Sequence, residues 1–334
     1  MKRRATRLAL LAVLILLMLL ACRFSPRSNP APSSAVPSTA VSALPSADSG
    51  DQDYSFTFGG RIRTYRLHVP AGYTPNSPMP LVIFLHGGGG NNGSMYTEGV
   101  AKASDTDQFI LAAPNGTGLL ENTLLTWNAG VWSGGECCGY AVNNGIDDVG
   151  FISSLIDEIK GKFNIDQKRV YATGISNGGM MSYRLACELS NRIAAVAPVA
   201  SPAIPGDCAP GRPVSILHIH GTADPCAPYY GGPGGGCLLN TGSTFTAMSA
   251  RDMVDFWLKQ DAIATLPTII YQHGTATCTS YTKGDIEVEF CSIEGGGHTW
   301  LDSSQYASID RVGSVSHDIS FKQIWEFFAR HSLP

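Results

Sequence analysis

Short runs of β-branched and aromatic residues alternate with stretches of helical spacing along most of this chain. The strand-like runs are Tyr54 to Phe58 and Arg61 to Val69, an opening hairpin, then Leu81 to His86, Phe109 to Ala113, Val170 to Ile175, Ala194 to Val199, Val214 to His220, Thr268 to Gln272 and Glu287 to Ile293. Several are apolar throughout, as strands covered on both faces of a parallel sheet must be. Between them, the segment opened by Asp147 puts Ile152, Leu155, Ile156, Ile159 and Phe163 on one helical face, with Asp147 or Asp148 available as its N-cap. The last helix carries Phe321, Ile324, Trp325 and Phe328 at the same spacing. Such alternation predicts an α/β fold, a mostly parallel sheet with helices on both faces, and residues 54–334 fit one such domain rather than two.

The pattern fails in two places. Residues 115–146 are Gly-rich with little periodicity, and loops of that length inside a compact domain are usually functional or disordered. At the amino terminus, Lys2, Arg3, Arg4 and Arg7 precede an unbroken apolar run, Leu8 to Ala21, that is short for a bilayer span. Residues 1–21 therefore read as a signal peptide. Leu19-Leu20-Ala21-Cys22 resembles a bacterial lipoprotein cleavage site, which makes Cys22 the expected lipidated residue, with ordinary secretion as the alternative. Residues 22–53 continue as a Ser/Pro/Ala-rich tether with too little apolar surface to fold.

Cysteine usage agrees with export to the cell surface, the periplasm or the medium. Nine cysteines less Cys22 leave eight, an even number that allows four disulfides. Cys278 and Cys291 flank a hairpin turning at Lys283-Gly284-Asp285, and Cys226 and Cys237 close a Gly/Pro loop. For Cys137, Cys138, Cys187 and Cys208 the spacing leaves both a 137–138 bond and cross-pairing open. The formal net charge is −4, with no basic run outside the leader, so nucleic acid is not an expected partner. Membrane contact is expected through the lipid alone.

The candidate chemistry centres on Gly174-Ile175-Ser176-Asn177-Gly178, where a strand pattern turns directly into a helical one. That context makes Ser176 the nucleophile of a sharp strand-to-helix elbow. A serine hydroxyl needs a base and an oriented acid, which follow the elbow in the chain order Ser, Asp, His. Asp224, just past the strand Val214 to His220, is the candidate acid. His298, in the loop Glu294-Gly-Gly-Gly-His, is the candidate base. The backbone N–H of Asn177 and that of Gly88, with Gly87 or Gly89 as alternatives, would form the oxyanion hole. The run Gly87 to Gly90 lacks the Lys-Ser/Thr ending of a phosphate loop. Trp127, Trp132 and Tyr140, together with Trp300, Tyr229 and Tyr230, are candidates to stack on a sugar or aryl group, and Trp127, Trp300 and Tyr229 are the foremost substrate-binding expectations.

These motifs carry a resemblance. Leu85-His86-Gly87, Trp127 with Cys137-Cys138-Gly139, Asp147-Asp148-Val149-Gly150-Phe151, Gly174 to Met181, His220-Gly-Thr-Ala-Asp224 and Gly296-Gly-His298-Thr-Trp300 resemble the polyhydroxybutyrate depolymerase and feruloyl esterase group of α/β-hydrolases, including its bacterial lipoproteins. The resemblance implies a serine carboxylic ester hydrolase acting on a polyester or an esterified plant polysaccharide, without metal or cofactor, and with Ser176, Asp224 and His298 as its triad. Two other classes compete. A surface lipoprotein that binds polymer without cleaving it would not need the three residues. A metallohydrolase built on His218, His220 and Asp224 lacks a further ligand cluster nearby.

Overall fold

The computed structural model describes residues 49–120, 123–235, 237, 245–303 and 309–334. The leader, Cys22 and nearly all of the tether lie outside the described residues. The main elements are β1 (Gly50–Phe58), β2 (Arg61–Val69), β3 (Met79–Leu85), α1 (Val100–Asp107), β4 (Ile110–Pro114), α2 (Asp148–Lys160), β5 (Ile165–Ile175), α3 (Asn177–Glu188), β6 (Ala195–Val199), β7 (Ser215–Gly221), α4 (Ala250–Gln260), β8 (Thr268–His273), β9 (Ala276–Lys283), β10 (Ile286–Ile293) and α5 (Phe321–Ala329).

The strands form one ten-stranded sheet in the order β1-β2-β4-β3-β5-β6-β7-β10-β9-β8. From β4 to β10 every neighbour is parallel, while the hairpin β1-β2 extends one edge and β9-β8 the other in antiparallel fashion. The apolar runs sit where the sequence pattern requires: β3 and β7 are buried along their whole lengths, whereas edge strand β8 is mostly exposed. The sheet begins at Gly50 rather than Tyr54, because Gly50 to Asp53 pair with Val69 to Arg66. The last residues of the expected tether are thus a strand.

Helices cover both faces. α2, α3 and α4 contribute Ile152, Tyr183 and Trp257 to one core, and α1 and α5 contribute Val100, Phe327 and Phe328 to the other. Asp147 caps α2 by accepting from the Gly150 N–H, while its neighbour Asp148 is fully buried and paired with Arg63 at 2.7 Å. Because burial opposes the charge on both, that pair needs its remaining partners, and the Asn128 N–H supplies one at 2.8 Å. Four disulfides join Cys137 to Cys138, Cys187 to Cys208, Cys226 to Cys237 and Cys278 to Cys291. The two pairings expected from spacing are present, and the open choice resolves to the adjacent pair plus 187–208. Among the described residues no helix is long and apolar enough to cross a membrane.

Candidate active site

Ser176 follows β5 as the N-cap of α3 with φ 57° and ψ −120°, a conformation that L-residues rarely hold without support. The support is local. Its N–H donates to the Val199 carbonyl at 2.9 Å, and its carbonyl accepts from Met180 at 2.9 Å. A Cβ at Gly174 or Gly178 would run into the Leu85 carbonyl, so glycine is required for β3, β5 and α3 to approach this closely.

Asp224 follows β7, and His298 follows β10, the strand paired beside it. The two loops are tied together by the Ala223 N–H, which donates to the Gly296 carbonyl at 2.9 Å. His298 Nδ1 lies 2.8 Å from Asp224 Oδ2, and Asp224 Oδ1 accepts from the backbone N–H groups of Cys226 and Ala227, each at 2.8 Å. Burial by itself would raise the Asp224 carboxyl, but His298 and His220 hold it well below the usual carboxylate range. It is therefore an anion that orients the imidazole.

Ser176 and His298 open on one cleft of about 290 Å³, together with Gly88, Leu119, Leu124, Tyr140 and Phe245. The Cys137–Cys138 and Cys226–Cys237 disulfides also form its wall. Gly88 faces Asn177 across the elbow: a Cβ there would lie 3.7 Å from that of Asn177. The Gly89 and Gly90 N–H groups are engaged by the Leu125 and Gly87 carbonyls, at 2.8 and 3.0 Å. His86 braces the same loop, its Nε2 accepting from the Gly116 N–H at 3.0 Å and its Nδ1 meeting the Gly87 carbonyl at 2.8 Å. Burial pushes this histidine down to about 4, which keeps it neutral and able to accept.

The aromatic expectations divide. Tyr140 lines the cleft, as does Phe245, which no sequence motif marked. Trp127 and Trp300 are fully buried and present no face to a ligand. Their indole N–H groups donate to the backbone carbonyls of His86 and Glu98, both at 3.0 Å, and their rings pack against His86 and Phe84. They hold up the loops around the cleft instead of lining it. Tyr229 is half-buried behind the acid, with its hydroxyl 2.9 Å from Ser292 Oγ and its ring edge on His220, and it does not line the cleft.

Asp224, Cys226 and His298 bring potential metal-binding atoms within 4.8 Å of one another. As a donor set they fit poorly, since the Cys226 sulfur is bonded to Cys237 and the carboxylate and imidazole are bonded to each other. His218 and His220 have all four ring nitrogens within 2.8 to 3.3 Å of other polar atoms of the protein.

A large, mostly parallel sheet carrying an elbow serine and a His–Asp pair on its carboxyl-end loops defines an α/β-hydrolase. The phospholipase/carboxylesterase family matches residues 73–233. Over 295 residues the chain is 31% identical to "Putative esterase NocK" of Nocardia uniformis subsp. tsuyamanensis, covering 81% of this chain and 82% of that protein. It is 32% identical over 276 residues to feruloyl esterase B of Piromyces equi, covering 80% of this chain but 45% of that relative's own length. The acetyl xylan esterase from Aspergillus awamori superposes with a TM-score of 0.56 at 14% identity, over 84% of this chain and 99% of that one, a likeness of fold. The chain belongs to the phospholipase/carboxylesterase family of α/β-hydrolases and is a carboxylic ester hydrolase.

Proposed function

We propose that this esterase works through an acyl-enzyme on Ser176. His298 takes the hydroxyl proton as Ser176 attacks the ester carbonyl, Asp224 holds the imidazole in the tautomer with Nδ1 protonated, and water then releases the acyl group. The N–H groups of Asn177 and Gly88 receive the oxyanion. Engagement of the Gly89 and Gly90 donors elsewhere favours Gly88 for that role. The observation that carries the reading is the buried His298–Asp224 hydrogen bond on the same cleft as a strained elbow serine.

The substrate we assign is an acyl ester on plant polysaccharide, of the feruloyl or acetyl type that the relatives' names describe. Leu119, Leu124, Tyr140 and Phe245 give the cleft an apolar lining suited to an acyl chain or aryl ring. Ser176→Ala is expected to abolish hydrolysis of p-nitrophenyl acetate, methyl ferulate and acetylated xylan, and to remove labelling by a fluorophosphonate probe. Undiminished turnover in that variant eliminates the mechanism.

The same reading places the enzyme outside the cytoplasm, where its four disulfides persist, anchored by a lipid on Cys22. Cys22→Ser should move the protein from the membrane fraction to the soluble one. Unchanged membrane association in that variant rejects the anchor.

A further inference from the structure

Behind Asp224 runs a line of buried polar side chains that the acyl-enzyme mechanism leaves unused. The Tyr183 hydroxyl lies 2.8 Å from His218 Nδ1, His218 Nε2 lies 3.1 Å from His220 Nδ1, and His220 Nε2 lies 2.8 Å from the Ala227 carbonyl and 3.3 Å from Asp224 Oδ2. All three side chains are buried to within 1% of complete. His218 and His220 are alternate residues of β7 and so share one face of the sheet, and Tyr183 stacks on His218 from α3.

The direction of the chain follows from its last member. A carbonyl oxygen only accepts, so His220 Nε2 must carry the hydrogen that meets Ala227. In a neutral imidazole the other nitrogen is then bare, and His220 Nδ1 accepts from His218 Nε2–H. By the same argument His218 Nδ1 is bare and accepts from the Tyr183 O–H. Burial supports the first two members of this assignment, since it pushes the Tyr183 hydroxyl well above its usual range and His218 well below its own. Every donor therefore points towards the acid, and hydrogen bonds aligned in this way strengthen one another in a low dielectric. Ala227 is held at both of its backbone groups: its carbonyl by His220, its N–H by Asp224 Oδ1.

We infer that Tyr183, His218 and His220 are positioning residues, a one-way hydrogen-bond chain that fixes the Asp224 turn and aims its carboxylate at His298. The inference rests on the assignment of Asp224 and His298 to the triad. It links the two halves of the site, because Tyr183 sits about two helical turns beyond Ser176 on α3. The elbow helix thereby steadies the acid as well as the nucleophile.

The test uses the whole mature protein, p-nitrophenyl acetate, and thermal melts to establish folding. His220→Phe keeps the ring volume without a donor and should lower kcat roughly 10- to 100-fold with little change in KM, the effect of losing a hydrogen bond to a charged group. His220→Gln restores an N–H for Ala227 and an acceptor for His218, and should recover most of that loss. Tyr183→Phe removes only the first O–H and should lower kcat about 3- to 10-fold, again at constant KM. The downfield proton resonance of the His298–Asp224 hydrogen bond should weaken in step with kcat. A folded Tyr183→Phe protein with parental kcat and an unaltered resonance overturns the chain, as does a folded His220→Phe protein no slower than His220→Gln. Should His220→Phe not fold, the Tyr183→Phe result decides alone. Ser176→Ala run alongside separates the two ideas: if it still turns over, the triad falls, and if it is inactive while every positioning variant is fully active, only the chain falls.

Discussion

Two regions of this molecule hold the same three kinds of side chain and connect them in different orders. At the cleft, His298 meets Asp224 through Nδ1, the ring nitrogen nearest its own backbone. His298 also lines the cavity that Ser176 shares. At the opposite end of β10, His331 meets Glu287 through Nε2, and Ser280 donates to Glu287 instead of to the imidazole. The outer nitrogen is consumed there, and the hydroxyl already has its acceptor in the acid. On the proposed mechanism, a serine, a histidine and a carboxylate make a catalytic set only when the acid takes the inner nitrogen and leaves the outer one for the hydroxyl.

The sharpest way to break this contrast is to remove one hydrogen-bonding member from each cluster. Asp224→Asn should lower kcat by roughly 10,000-fold, because an amide no longer selects the productive tautomer of His298. Ser280→Ala, at the other cluster, should leave kcat within about twofold and cost about 1 kcal/mol of stability in a urea titration. Comparable losses of kcat in both variants would remove the distinction.

A smaller effect concerns pH. One guanidinium, that of Arg330, contacts both Glu287 and Glu289. Burial and the charge of Glu287 push Glu289 up to about 8, although Arg330 opposes this. The folded protein then holds a proton that the unfolded chain, near its ordinary value of 4.5, has released. Between those two values stability must fall as pH rises. Glu289→Gln abolishes that loss, so its melting temperature relative to the parent should climb from pH 5 to pH 8.5. An offset that stays constant across that range removes Glu289 as the source.

Much of the candidate site is legible in the sequence because its parts are fixed by short-range geometry. Gly174 and Gly178 bracket Ser176 for a steric reason that a sequence displays openly, and Asp224 and His298 each follow a run of strand residues. The same holds for Cys278 and Cys291, which face each other in the register of β9 and β10. What stayed hidden depended on packing between distant segments. Trp127 and Trp300 lie in irregular stretches where no periodicity tells inside from outside, and their burial is decided by carbonyls of other loops that need a donor. Phe245 reaches the cleft from a three-residue strand too short to read. His218 and His220 could be read as satisfied strand histidines, but the link from Tyr183 requires knowing that α3 crosses that face of β7.

Asn177 ties the floor of the cleft to its wall. Its side chain bridges the Trp127 peptide, accepting from the N–H at 2.7 Å and donating to the carbonyl at 3.1 Å, and reaches the Cys137 carbonyl at 3.3 Å. A segment that walls the cleft is therefore stapled to the residue that follows the elbow serine. On the proposed mechanism, remodelling that wall for a bulkier guest would tug on the oxyanion donor itself, so selectivity and speed would not be independent dials.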